Sequence, residues 1–157
     1  MNTKNINISK KITHLLFLIL FLIGIFTFKD YGISTDEEFQ RSSGLYWLNY
    51  VLNFTPFSEL ASEVSIKFSQ SKTFTVPDVE VYKYYGVIFD LPSALLETLF
   101  KINDPKDYFY LKHFLNFTLF FIAAIFFYKL LFNRFSNQTV ALTGTLFFVL
   151  SPRIYGS

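Results

Sequence analysis

The run from Phe114 to Phe132 carries no charged side chain before Lys129. As a helix it rises about 28 Å, close to the roughly 30 Å hydrocarbon thickness of a bilayer. A second run, Ile12 to Phe28, holds no charge from Leu15 to Phe28 and rises about 26 Å. A third, Val140 to Leu150, is too short alone, but the stretch from Thr139 to Tyr155 reaches spanning length. Three such runs in 157 residues leave too little chain to bury them in water. Composition agrees: 22 residues are Phe and only 17% are charged, against about a quarter in soluble domains. With no Cys, a disulfide scaffold and a thiolate metal site are excluded. A net charge of +2 is too small to suggest a nucleic-acid partner. The expected class is an all-α integral membrane protein. Its transmembrane helices are expected at residues 12–28, 113–132 and 139–157, the third truncated as the chain stops at Ser157.

Lys10 and Lys11 precede the first run as the basic region of a signal peptide would. No small-x-small cleavage site follows, and the run exits through Thr27-Phe28-Lys29-Asp30, so an uncleaved anchor is expected. Charge placement then orients the chain. All 12 acidic residues lie between Asp30 and Asp107. Lys4, Lys10 and Lys11 flank the first run, while Lys129 and Arg134 flank the link between the second and third. Lys and Arg in short flanks mark the cytoplasmic side. Residues 1–11 and the turn 133–138 are therefore expected inside and residues 29–112 outside, in a multi-pass protein of the cell inner (plasma) membrane.

The outside segment is too long for a passive link and too rich in aromatic and aliphatic residues for a flexible one. Phe39 to Phe54 places Leu45, Leu48 and Leu52 at near-helical spacing, with Trp47 and Val51 beside them. Two readings are open: an amphipathic helix on the membrane surface, with Tyr46, Trp47 and Tyr50 at the interface, or a helix packed within an external domain. Ser58 to Gln70 is expected to form a second short helix. Gly86 to Phe100 contains Asp90, Pro92 and Glu97 and is expected to be interfacial or re-entrant rather than spanning, because ionisable residues within a span are costly. The overall expectation is three spans with a large external loop of interfacial helices.

The cluster Asp30-Tyr31-Gly32-Ile33-Ser34-Thr35-Asp36-Glu37-Glu38 opens that segment. Ser34 with Glu37, or Thr35 with Glu38, has capping-box spacing, and acids in a first helical turn suit the helix dipole. The other reading is catalytic: a carboxylate fixed at the membrane surface can act as general base on an acceptor hydroxyl or amine. A hydrophobic first span followed by Tyr31-Gly32 and then Asp36-Glu37-Glu38 resembles the start of GT-C class glycosyltransferases. Within that class it is most similar to the protein O-mannosyltransferase and aminoarabinose transferase superfamily. Tyr84-Tyr85-Gly86 before Leu91-Pro92 resembles the segment leading back to the membrane. Tyr110 to Asn116 resembles the basic start of the second span, and Ser151 to Gly156 the outer end of the third. The resemblance covers nearly the whole chain but only about the first third of a family member. It implies the N-terminal part of an enzyme that moves a sugar from a polyprenyl-phosphate-linked donor to an external acceptor. Asp36 is then the general base, with Glu37 beside it. Lys112, Arg153 and His113 are implied donor-binding residues, two of them cations for the departing phosphate.

Lys112 and Arg153 have the alternative reading of snorkelling anchors, and His113 that of an interfacial residue. Two separated His residues give no metal-ligand pattern. No cofactor is implied, and the sequence leaves a divalent metal open. The partners expected are the lipid-linked donor and membrane lipid. The rival reading is a non-catalytic membrane subunit whose external segment binds a protein.

Overall fold

The computed structural model describes residues 3–71, 79–84 and 87–151. It is helical, with no strand among the described residues. The elements are α1 (Thr3–Thr27), α2 (Thr35–Leu52), α3 (Ser58–Gln70), a short 3-10 turn (Val79–Tyr84), α4 (Asp90–Leu99), α5 (Pro105–Phe135) and α6 (Gln138–Val149). They divide into two compact units, one of residues 1–30 with 114–157 and one of residues 31–113.

The first unit holds the apolar runs. Helix α5 is long and apolar enough to cross a membrane, and it alone among the described helices. A core helix of a soluble protein would bury such a surface, but Leu119, Ile122, Phe126 and Leu130 are exposed. The apolar part of α1, Lys11–Thr27, and all of α6 are shorter; α6 rises only about 18 Å. The stretch that would complete a third span, residues 152–157, lies outside the described residues. Helix α1 meets α5 through Phe17, which lies edge-on to Phe121 and Tyr128. Gly24 is the close-approach point, because a Cβ there would run into the Phe117 ring. A small residue at this point lets the two helices approach closely. Thr13 adds polar links, accepting from the Gln138 amide at 2.5 Å and lying 3.4 Å from the Tyr128 hydroxyl. The turn between α5 and α6 is shorter than the expected 133–138. Helix α5 runs to Phe135, Ser136 takes a left-handed φ of 50°, and Asn137 caps α6. The Asn137 carboxamide oxygen accepts from the Thr139 and Val140 amides at 2.9 and 3.3 Å, which satisfies donors the helix start leaves free.

The second unit is built round α2. Leu45, Leu48 and Leu52 pack with Val64 of α3 and Ala94 of α4 into its core. Each buried Leu or Val among them contributes about 1.5–3 kcal/mol. Ser42, Ser43, Gly44 and Leu45 are all buried, so α2 is covered on more than one face. Gly44 permits this, since a Cβ there would overlap the backbone carbonyl of Asp90. Trp47 donates its indole N–H to the Tyr82 carbonyl at 3.0 Å, and Tyr46 stacks on Tyr82. Of the two readings of Phe39–Phe54, the structure therefore supports the helix packed within a domain. Helix α3 has the expected bounds. Helix α4 begins only at Asp90 and spans 10 residues, about 15 Å, half a bilayer. Its buried residues are Asp90, Ser93, Ala94, Glu97 and Thr98, which accounts for acids in an otherwise apolar segment: they face into the unit. Its end is a Schellman motif. Ile102 N–H reaches the Glu97 carbonyl at 3.0 Å and Lys101 N–H the Thr98 carbonyl at 3.0 Å.

Candidate functional site

The acidic cluster forms the first turn of α2, with Asp36, Glu37 and Glu38 in place for the dipole. Ser34 is the N-cap in extended conformation, and its carbonyl accepts the Glu37 amide at 3.1 Å. No side-chain cap hydrogen bond forms, so the Ser34–Glu37 box is not made. The Glu37 carboxylate goes elsewhere: its oxygens lie 3.2 and 3.3 Å from His113 Nε2. Tyr31 stands edge-on to the His113 ring at 6.1 Å. His113 directly precedes Phe114, the first residue of the apolar run. Asp36, about 100° further round the helix, is exposed.

Gln40 and Arg41 follow Glu37 at i+3 and i+4 and share its face. Gln40 accepts a hydrogen bond from the Lys112 ammonium, which is buried. Arg41 forks onto Glu97, Nη2 to Oε1 at 2.5 Å and Nε to Oε2 at 3.3 Å. The Glu97 side chain is wholly buried. The Arg41 guanidinium also lies 4.7 Å from the centre of the Tyr108 ring. The Tyr108 hydroxyl is buried without a hydrogen-bond partner, as is His113 Nδ1. Burial first, then the nearby Glu97 and Asp90 charges, pushes the Tyr108 phenol far above its ordinary range.

Asp90 completes the cluster. Burial raises its carboxyl above the usual range, and the Lys112 charge only partly offsets that. Lys112 precedes the apolar run; burial lowers its ammonium, against the pull of Asp90 and Glu37. The two shifts agree in meaning: desolvation outweighs attraction at both groups.

Of the residues singled out from sequence, the fold thus gathers Glu37, Lys112 and His113, and leaves Asp36 beside them facing outward. Arg153 lies outside the described residues, as do Tyr85 and Gly86. Gln40, Arg41 and Tyr108 were not legible as site residues. The available signal was on α4, where Asp90, Ser93 and Glu97 fall on one face at i, i+3 and i+7 and require polar partners once buried. Among the described residues no group of three or more His, Asp or Glu is placed to hold a metal ion. No protein-family model, curated protein or solved structure matches the chain.

Proposed function

We propose that the chain supplies the first spans and the external loop of a multi-pass inner-membrane glycosyltransferase of the GT-C kind, N-terminus inside. The single observation that carries the reading is the division of labour at the start of α2. Glu37 is tied to His113, one residue before the apolar run, while its neighbour Asp36 stays exposed. The residue that holds Glu37 adjoins in sequence the segment that would enter the membrane, where a polyprenyl phosphate headgroup would lie. In the reaction, Asp36 takes the proton of the acceptor hydroxyl or amine as its heteroatom forms a bond to C1 of the sugar. The C1–O bond to phosphate breaks, and the lipid phosphate leaves with the electron pair. A cation must stabilise that charge, a part that the resemblance alone gives to Lys112 and Arg153, and Glu37 positions the turn that carries Asp36.

The test is sugar transfer from a radiolabelled polyprenyl-phosphate donor in membranes carrying the protein at native length. Asp36→Asn is expected to lower transfer at least a hundredfold, on the order of general-base contributions, with expression unchanged. Full activity of Asp36→Asn would sink the assignment.

A protein-binding subunit remains the second reading because one patch favours it. Tyr50, Val51, Phe54 and Phe57 are exposed together where α2 turns toward α3. On that reading Phe54→Ser and Phe57→Ser abolish co-purification of a partner, and Asp36→Asn is silent.

A further inference from the structure

A polar cleft of about 420 Å³ opens within the unit of residues 31–113, between α3 and the turn from α4 to α5. Its size falls in the range of small-ligand sites. Arg41, Lys67, Gln70 and Asn103 line it, with Glu63 its one carboxylate. The lining is rich in unused donors. Arg41 has five N–H groups, and Glu97 takes one from Nε and one from Nη2. That leaves three, on a guanidinium whose plane is fixed by a buried carboxylate. Lys67 donates to the Ile102 carbonyl at 2.9 Å and the Glu97 carbonyl at 3.4 Å. A third donor remains, with Glu63 at 3.9 Å, beyond hydrogen-bond range. The carboxamides of Gln70 and Asn103 are exposed and add two more groups able to donate.

This arrangement is unusual for its surroundings. Residues 31–113 hold 11 acidic and 7 basic side chains, a balance of −4, yet two cations and only one acid line the cleft itself, with Glu97 lying behind Arg41 as its ion-pair partner. Both cations are largely buried, the side chains 14% and 9% exposed. Their placement is therefore not the loose solvation of surface charge, and a fixed guanidinium edge is suited to the paired oxygens of an oxyanion.

We propose that this cleft binds a small oxyanion-bearing ligand, a phosphate monoester or a carboxylate, with Arg41 and Lys67 as its charged contacts and Gln70 and Asn103 at its rim. The inference does not depend on the transfer reaction or on Asp36.

The probe is inorganic phosphate, titrated at constant ionic strength into the full chain in phosphatidylcholine nanodiscs and followed by phosphorus NMR linewidth. Saturable broadening is expected. Because Arg41 and Lys67 changes also unsettle the fold, the deciding variants are at the rim. Glu63→Gln should tighten binding roughly threefold to tenfold by removing the one carboxylate that lines the cleft. The double change Gln70→Ala and Asn103→Ala should weaken it by a similar factor. Absence of saturation, or saturation indifferent to both variants, overturns the proposal. A second arm uses nanodiscs containing phosphatidic acid. Loss of the free-phosphate signal there identifies a lipid headgroup as the source of the oxyanion, and its persistence identifies a soluble ligand.

Discussion

Glu97 is the most demanding residue in the unit of residues 31–113. Its carboxylate is fully buried, and Arg41 is its one cationic partner within salt-bridge distance among the described residues. Replacing Arg41 with Gln leaves a charge in a low-dielectric interior, or forces a proton onto it. Breaking a buried pair in this way costs about 3–5 kcal/mol. Removal of the cation over the Tyr108 ring adds roughly 0.5–2 kcal/mol. Changing both partners to apolar residues, Arg41→Met with Glu97→Leu, removes the stranded charge and should recover most of the loss. The chain offers its own assay. It has no cysteine, and Ser43 is fully buried with a hydroxyl that has no hydrogen-bond partner. Ser43→Cys therefore introduces a unique thiol without sacrificing a hydrogen bond. When closing outpaces labelling, the alkylation rate reports the free energy of opening. At about 1.4 kcal/mol per factor of ten, Arg41→Gln should speed alkylation at least about a hundredfold, and the apolar double variant far less. A change below about fivefold for Arg41→Gln would refute the reasoning. So would a double variant as open as the single one.

The same thiol reads other packing points. Gly44→Ala should cost about 1–3 kcal/mol, because its Cβ meets a backbone carbonyl that cannot rotate away. An unchanged Ser43→Cys labelling rate would contradict that. Lys101 has a φ of 52° at the position where a Schellman motif favours glycine. Lys101→Gly is expected to stabilise the unit by about 1 kcal/mol and to slow labelling. Asp90 carries a pH signature. Its folded carboxyl titrates above the unfolded one, so its contribution to stability is greatest at low pH and is lost as pH rises through the carboxylate range. The stability difference between the protein and Asp90→Asn should shift in that direction as pH rises from the ordinary carboxylate range toward neutrality; a flat difference refutes it. Topology is tested with impermeant maleimide on spheroplasts. Asp107→Cys, exposed in the structure, should label from outside and Ser136→Cys only after permeabilisation. The reverse pattern would overturn the proposed orientation.

What was legible in the sequence was whatever local chemistry decides. Helix α3 lies at Ser58–Gln70 as read, and α2 opens at Thr35, where acids and a capping residue signal a first turn. Helix α2 left two readings open for a physical reason. A surface helix shows one apolar stripe, whereas α2 is packed against both α3 and α4. Its buried residues include small polar ones, Ser42 and Ser43, that give no stripe at all. Helix α4 is the opposite case. Its acids, costly in a membrane, are equally costly in a protein core, and the core supplies Arg41 from 56 residues away. A partner at that separation leaves no mark in any window of sequence.

The pair Asp36 and Glu37 shows how far such placement can reach toward function. Two adjacent acids at a helix start both suit the helix dipole. The helix separates them by about 100°, so packing must choose one of them. It chooses Glu37, whose partner His113 is the last polar residue before the apolar run. Any rotation of α2 that released Asp36 from solvent would strip Glu37 from His113, Gln40 from Lys112 and Arg41 from Glu97 together, since the three lie on one face. The exposed carboxylate is therefore held by contacts it does not itself make. If Asp36 is the base proposed above, Glu37→Gln should disturb its position, and with it transfer, while Glu38→Gln should leave both unchanged.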